Sequence, residues 1–142
     1  MEKLVLLTVA CLAFLVVTGK AQTSEVRDIE KVVSAFAKAG DENDAEKLAT
    51  YLDDNYRVVM NRLFGSSEVS ILPRSIYLEK IKSKEFGGDE RDVTVEDVVI
   101  NGETASAKVT MKGIKATFVS LMVLIKDAEG DWKLVSDTPT II

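Results

Sequence analysis

The sequence predicts an α+β fold in which three N-terminal helices pack on one face of a curved antiparallel sheet. In the first half of the chain, apolar residues recur at helical spacing. From Asp92 onward, apolar and polar residues alternate instead, as they do in strands with one buried face. Asn101 and Gly102 lie between two such strands, and this dipeptide is the strongest short signal for a β-hairpin. Helices followed by a run of strands indicate the α+β class.

The N-terminus predicts a secretory signal peptide over residues 1–21. Its apolar run, residues 4–17, is shorter than the roughly 20 residues that a membrane-spanning helix needs. Gly19 and Ala21 supply the small residues that precede a cleavage site. We therefore expect an exported protein, periplasmic or extracellular, with one mature domain over residues 22–142 and no stable membrane insertion after cleavage. An uncleaved membrane anchor is the alternative.

Composition excludes several functional classes. The chain has a net charge of −5 and no lysine-arginine cluster, so nucleic acid is not an expected partner. It contains no histidine, which removes Ser-His-Asp and Cys-His nucleophiles and the commonest zinc ligand. Its one cysteine, Cys11, lies in the predicted signal peptide. We therefore expect no disulfide, no metal site and no cofactor in the mature domain.

Three segments have the pattern of helices. The first predicted helix covers residues 24–39, with Thr23 or Ser24 as its N-cap. The second begins after Asn43, whose side chain is expected to cap it. The third begins near Pro73, because proline suits the first position of a helix.

One strand is predicted between the second and third helices, over residues 56–64, where a β-branched run is too short for a helix. Asp53 and Asp54 precede it and favour a turn. Four strands are predicted to follow the third helix as an antiparallel meander, over residues 93–100, 105–111, 116–125 and 132–142. The third of these is apolar on both faces, which is typical of a central strand.

Three quoted segments resemble the nuclear transport factor 2-like superfamily: "FAKAGDENDAEKLATYLDDNYRVV", "FGG" and "EGDWKLVSDTP". The closest resemblance is to its secreted bacterial branch labelled "putative lumazine-binding", and it extends from Ser24 to the end of the chain. The resemblance implies a cone-like fold, in which a strongly curved sheet wraps the first helix and leaves a pocket at the wide end. It also implies a homodimer formed through the sheet.

The resemblance does not supply catalytic residues. Ketosteroid-isomerase-like members carry a general-base aspartate on the strand after the "DD" turn, and the matching position here is Met60 or Asn61. Neither side chain accepts a proton in that role. The tyrosine of their first helix is matched by Phe36, which has no hydroxyl. Dehydratase-like members need a His-Asp pair, which a chain without histidine cannot form. The expected set of catalytic residues is therefore empty.

The resemblance implies that alternate residues of the first strand, the third helix and the last strand face the pocket. Tyr56 and Met60 share one face of the first strand and Asn61 lies on the other, and the period does not decide which face is inside. On the last strand, Ser136 is expected to face inward and Asp137 outward. For each candidate, core packing or a solvated surface position is the ordinary alternative. The candidates for ligand binding are Tyr56, Met60, Asn61, Arg62, Tyr77, Met122 and Ser136.

Three functions follow from these observations. The leading hypothesis is an exported protein that binds a small, largely apolar ligand without chemistry. The second is a dimeric interaction module with a vestigial pocket, which the apolar segment 116–125 favours. The third is an isomerase- or hydrolase-like enzyme that uses a carboxylate and Tyr77. This last hypothesis requires an aspartate or glutamate that faces the cavity near Tyr77.

Overall fold

The computed structural model describes the backbone of residues 2–142 and the side chains of residues 22–142. The predicted signal peptide, residues 1–21, lies outside the residues whose side chains are described. The helices within residues 22–142 include none with the length and hydropathy of a membrane span.

The N-terminal part of the described chain holds the three helices and two strands, and strands alone form the C-terminal part. Within residues 2–142 the elements are α1 (Glu2–Asp41), α2 (Ala45–Ala49), β1 (Leu52–Asn61), β2 (Val69–Pro73), α3 (Arg74–Lys82), β3 (Asp92–Asn101), β4 (Thr104–Lys112), β5 (Thr117–Lys126) and β6 (Trp132–Ile141). The strands form one sheet in the order β2-β1-β6-β5-β4-β3. The predicted α+β class, with helices packed on a curved sheet, is confirmed.

The four-strand meander is the part of the sheet that the sequence predicted most closely. Strands β3 to β6 pair with one another in antiparallel fashion. Gly102 lies in the turn between β3 and β4 with a positive φ of 63°, a conformation that glycine adopts without steric cost. Strand β1 departs from the antiparallel prediction, because it joins the meander by parallel pairing with β6.

Helix α1 begins earlier than predicted. It is continuous over Glu2–Asp41, so Thr23 and Ser24 lie inside the helix and do not cap it. The chain has no proline before Pro73, and serine and threonine within a helix lower its stability only slightly. The buried stripe of α1 includes Ile29, Val33 and Phe36, which pack in the core.

The connection from α1 to α2 corrects the predicted cap. Asp44 caps α2, since its carboxylate accepts from the backbone N–H of Lys47 at 3.0 Å. Asn43 instead has a φ of 54°, and its side-chain amide donates to the carbonyls of Ile81 at 3.0 Å and Phe86 at 2.7 Å. An amide has two N–H donors, so one side chain can bond both carbonyls at once.

The segment between α2 and α3 holds a hairpin where one strand was predicted. Strand β1 begins at Leu52, so Asp53 and Asp54 lie in the strand and not in a turn. Strand β2 is a short edge strand whose Val69 and Ile71 are exposed. Brevity and exposure make edge strands difficult to recognise, because they lack the alternation that burial on one face produces.

Candidate functional site

A cavity of about 660 Å³ lies between α1, α3 and the concave face of the sheet. Most of its lining is apolar and includes Phe36, Val58, Met60, Met111 and Phe118. Sites for small molecules in proteins commonly have volumes of about 300–1,000 Å³, apolar walls and a few polar groups. The cavity therefore has the size and lining of a small-molecule site.

A β-bulge in β6 decides which polar side chain of that strand enters the cavity. Leu134 and Ser136 pair with consecutive residues of β5, so Val135 is an extra residue in the strand. After this bulge the alternation is shifted by one position. Asp137 is 6% exposed and lines the cavity, whereas Ser136 lies on the outer face. The sequence analysis expected the opposite orientation for both residues, because regular alternation takes no account of a bulge.

The Asp137 carboxyl group is buried in the cavity wall. Its Oδ1 has no hydrogen-bond partner among the described residues. Burial raises the pKa of Asp137 to about 6, because the ionised form loses its hydration. Ser120 and the Arg91 guanidinium oppose this rise. The Ser120 hydroxyl lies close enough to favour the ionised carboxylate, although their separation and angle do not make a hydrogen bond.

Two tyrosines stand beside this carboxylate. The ring centroids of Tyr56 and Tyr77 are 5.3 Å apart, and the planes are tilted by 56°. Tyr77 lines the cavity, and Tyr56 is buried behind it. The two hydroxyls lie close enough for each to shift the pKa of the other, although their separation and angle do not make a hydrogen bond in the described part of the chain. Burial raises the pKa of both tyrosines, and the charge of Asp137 adds to the effect. Both hydroxyls therefore stay neutral and can donate a hydrogen bond.

Arg91 brings a fixed positive charge to the cavity wall. Its Nε donates to the carboxylate of Asp41, and the two side chains are 15% and 13% exposed. Its two other nitrogens donate to the carbonyl of Ala37 at 3.1 Å and to the sulfur of Met111 at 3.4 Å. The carbonyl of Ala37 belongs to the last turn of α1, where a cation is favoured by the helix dipole. Arg91 is thus bound to the C-terminal end of α1.

A close backbone approach positions the segment that carries Arg91. Gly87 has a φ of 78°, and a Cβ atom there would lie 2.2 Å from the carbonyl oxygen of Gly40. The next N–H, that of Gly88, donates to the same oxygen at 3.1 Å. Only glycine permits this contact, which holds the α3–β3 connection against α1. The "FGG" segment, quoted above for the family resemblance, therefore also shapes the cavity.

The candidates from the sequence fall into two groups, of which the first lies in or behind the cavity wall. Met60 and Tyr77 line the cavity. Tyr56 is buried against Tyr77, and Met122 is fully buried as the cross-strand partner of Asp137. The inner face of β1 is therefore the one that carries Tyr56 and Met60, which the strand period had left open.

The second group lies away from the cavity. Asn61 is exposed at the end of β1, where it pairs with Val69. Arg62 is exposed in the following loop with a φ of 55°. Ser136 faces outward because of the bulge. In the described chain, no group of three His, Cys, Asp or Glu residues is arranged to hold a metal ion.

Sequence reasoning missed Arg91 as a component of the site. It lies in the charged segment "GDERD", where nothing distinguishes it from solvated neighbours. Its partner Asp41 is 50 positions away in the sequence, so their contact depends on the tertiary fold. The two adjacent glycines that precede it were the available signal, because they indicate a close backbone contact nearby.

Solved structures with the same fold come from several bacteria. An NTF2-like protein of unknown function from Shewanella baltica is 20% identical, covers 84% of this chain and 95% of its own, and has a TM-score of 0.73. An NTF2-like protein from Cytophaga hutchinsonii is 22% identical, with coverages of 80% and 95% and a TM-score of 0.63. A ketosteroid isomerase-like protein from Erwinia carotovora atroseptica is 18% identical, with coverages of 83% and 96% and a TM-score of 0.65. Such similarities establish the fold and not the function.

Sequence families give a more specific assignment. No curated protein sequence matches the chain significantly. A family model described as "Putative lumazine-binding" matches residues 24–138. The match begins within α1, includes α2 and α3, and ends within β6, the last strand of the sheet. The fold is therefore that of NTF2-like proteins, and the chain belongs to the "Putative lumazine-binding" family, as its sequence motifs predicted.

Proposed function

We propose that the protein binds a small, largely apolar molecule in the cavity. The observation that carries this proposal is an apolar cavity of about 660 Å³ whose polar groups include the buried Asp137 and the half-buried Tyr77. Burial of apolar ligand surface supplies affinity, at about 25 cal/mol per Å² removed from water. The few polar groups then fix the orientation of the ligand. The family description names lumazine, and a fused aromatic ring of that kind suits walls that include Phe36 and Phe118.

We also propose that the protein acts after export, in the periplasm or outside the cell. The support is the short apolar run at residues 4–17 and the small residues Gly19 and Ala21 that follow it. Removal of residues 1–21 would leave the family domain intact, since the family match begins at residue 24.

Native mass spectrometry of the protein purified from the exported fraction of its host tests both proposals. We expect the mass of residues 22–142 plus a ligand that leaves on denaturation. The variant Ala116→Trp places a large ring in the cavity lining and is expected to lose the extra mass. Its control, Ala128→Trp, lies in the exposed β5–β6 turn and is expected to retain it. The same extra mass in both variants would contradict binding in the cavity.

A second candidate function is acid–base catalysis, as in an isomerase or hydrolase. It is favoured by the position of Asp137, an inward-facing carboxylate whose charge acts on Tyr77. Asp137 would accept and return a proton, and the neutral Tyr77 hydroxyl would donate to the oxygen on which negative charge develops. Incubation of the captured compound with protein tests this role. Turnover that falls by at least about 100-fold in Asp137→Asn, with binding retained, would support it.

The third proposal concerns association through the sheet, which the sequence analysis expected as a homodimer. Leu121 on β5 is 63% exposed and Val99 on β3 is 62% exposed, and both lie on the outer face of the meander. We propose that a second copy of the chain covers this apolar face. Sedimentation velocity is expected to give a dimer for the wild type and a monomer for Leu121→Lys. A monomeric wild-type protein would contradict the proposal.

A further inference from the structure

The cavity opens at one end of the sheet. The exposed residues of its described lining are Phe64, Lys84, Glu85, Gly87 and Lys115. They belong to the β1–β2 loop, the α3–β3 connection and the β4–β5 turn. Because β1 and β6 are parallel and β3 to β6 are antiparallel, these three connections lie at the same end of the sheet. We call this end the mouth end, and it consists of residues 62–69, 83–91 and 113–116.

Large apolar side chains are exposed at the mouth end. Ile114 is 92% exposed, Phe64 is 67% exposed and Val69 is 58% exposed. Ile114 belongs to the β4–β5 turn, and the other two lie on either side of the β1–β2 loop. Exposed apolar residues gathered around an opening indicate a surface that contacts a partner or a membrane.

Phe64 is held beside the opening by an unusual backbone conformation. Its φ is 56°, and bulky residues rarely adopt a positive φ. Its ring centroid lies 6.3 Å from that of Phe86, which also lines the cavity. Backbone strain that leaves an aromatic ring in water favours a functional role for that ring.

Basic side chains lie near these apolar ones. Arg62 precedes Phe64 by two residues, and Lys115 directly follows Ile114. Lys84 is a third exposed cation of the mouth end. None of these three cations forms an ion pair within the described chain. Lysine and arginine next to exposed apolar residues are typical of surfaces that contact lipid head groups.

The acidic residues of the mouth end do not outweigh these cations. Glu85 is paired with Lys80 at 2.6 Å, and Asp89 accepts two backbone N–H groups of the β4–β5 turn. Glu68 and Glu90 are the other exposed acids of this end.

The opposite end of the sheet is acidic by comparison. Its acids lie at the start of β1, in the β3–β4 turn and in the β5–β6 turn, and they are Asp53, Asp54, Glu103, Asp127, Glu129 and Asp131. An anionic surface therefore repels this end more than the mouth end. Screening at physiological salt limits such forces to about 8 Å, so the end that faces the surface matters more than the net charge of −5.

A bilayer suits this arrangement better than a protein partner does. Phe64 and Ile114 stand on separate connections that flank an opening, and an opening offers little continuous surface for a protein to bury. A bilayer receives single apolar side chains between its head groups. We propose that the mouth end docks on a bilayer that contains anionic phospholipid, with Phe64 and Ile114 inserted among the head groups. The cavity then opens towards the lipid.

Binding of the full protein, purified after export, to lipid vesicles tests this proposal. Flotation measures partition into vesicles of phosphatidylcholine, alone or with about 30% phosphatidylglycerol. We expect at least about threefold stronger partition into the anionic vesicles. Phe64→Ser combined with Ile114→Ser is expected to lower partition into both kinds at least about tenfold. Lys84→Glu combined with Lys115→Glu is expected to lower partition about tenfold into the anionic vesicles alone.

The controls make the same kinds of change outside the mouth end. Ile71→Ser removes an apolar side chain that is 55% exposed on β2. Lys31→Glu combined with Lys47→Glu changes the net charge as the mouth-end pair does. Both controls are expected to stay within about twofold of the wild type, because contacts with the bilayer act over a short range.

Tryptophan fluorescence locates the contact. Phe64→Trp is expected to shift to shorter wavelength on vesicles and to be quenched by brominated lipids. Ala128→Trp, in the β5–β6 turn, is expected to show neither effect. Equal quenching at both positions, partition that no mouth-end variant changes, or a lack of vesicle binding would each overturn the proposal. Native mass spectrometry tests ligand binding in the cavity separately, so that function stands or falls on its own.

Discussion

Asp137 on β6 and Val58 on β1 are cross-strand partners in the parallel pair of the sheet, and both side chains line the cavity. The carboxylate therefore lies beside an aliphatic neighbour within the sheet. Ser120 from β5 and Arg91 from the loop before β3 lower its pKa, and its charge in turn raises the pKa of Tyr77 on α3. This position on an inner face explains why the carboxylate is costly to ionise and why it is available to a ligand.

Replacement of Asp137 by asparagine is expected to stabilise the protein near neutral pH. The pKa of Asp137 is about 6 in the folded protein, against 3.8 for an ordinary aspartate, so the folded state binds the proton more tightly than the unfolded state. The contribution of Asp137 to stability is therefore greatest at low pH and is lost as pH rises from about 4 to about 6. Asparagine resembles the protonated form, so near pH 7 the variant gains up to about 3 kcal/mol.

Urea unfolding of the wild type and of Asp137→Asn at several pH values measures this effect. The difference in unfolding free energy is expected to shrink towards zero near pH 4, where both side chains are neutral. Asp54→Asn, an exposed site on β1, is the control and is expected to show no such pH-dependent gain. Equal stability of the wild type and Asp137→Asn at neutral pH would mean that the carboxylate is hydrated.

Replacement of Arg91 by methionine is expected to destabilise the fold by about 3 kcal/mol, because it leaves the carboxylate of Asp41 poorly exposed and without its ion pair. The same change removes a positive charge that lowers the pKa of Asp137, so that pKa is expected to rise above about 6. Thermal or urea unfolding checks the first effect, and NMR titration of the carboxyl carbons checks the second.

Lys38→Met is the matched control for Arg91→Met. Lys38 also pairs with an acid near the end of α1, but that pair with Glu42 is largely exposed. Its loss is expected to cost less than about 0.5 kcal/mol. Similar costs for the two variants would show that Arg91 does not hold the cavity wall to α1.

Replacement of Gly87 by alanine tests the close approach between the α3–β3 connection and α1. A Cβ atom at Gly87 would collide with the carbonyl oxygen of Gly40, so we expect a loss of more than about 3 kcal/mol in urea unfolding. Gly130→Ala shares the positive φ but has open space around the new Cβ, and it is expected to cost only about 1 kcal/mol. Equal losses would mean that backbone strain alone, and not the contact with Gly40, accounts for both.

Replacement of Asn43 by aspartate separates its tertiary role from the capping role that the sequence suggested. The carboxylate cannot donate to Ile81 and Phe86, so two hydrogen bonds are lost and the cost is expected to be at least about 2 kcal/mol. If Asn43 acted as a helix cap, aspartate would serve equally well and stability would not change. Asn61→Asp, exposed at the end of β1, is expected to stay within about 0.5 kcal/mol of the wild type.

The parts of the fold that the sequence predicted are those whose causes are local. Alternation and the Asn101-Gly102 turn arise within one hairpin, so the β3–β4 pair and the meander could be read from neighbouring residues. The orientation of Asp137 could not, because no residue of β6 marks the bulge at Val135, and β6 also pairs with β1, which is far away in the sequence. Arg91 is a similar case, since its buried partner Asp41 lies on another element.

The bulge also bears on how this strand can change in length. Leu134 faces inward and Asp137 faces inward, and the bulge places Val135 and Ser136 between them. If Val135 were deleted, Leu134, Ser136 and Asp137 would follow regular alternation, and Asp137 would still point into the cavity. Val135 is therefore a position where the gene can lose a codon without moving the carboxylate, and an alignment gap at this point in related proteins would not signal a changed site.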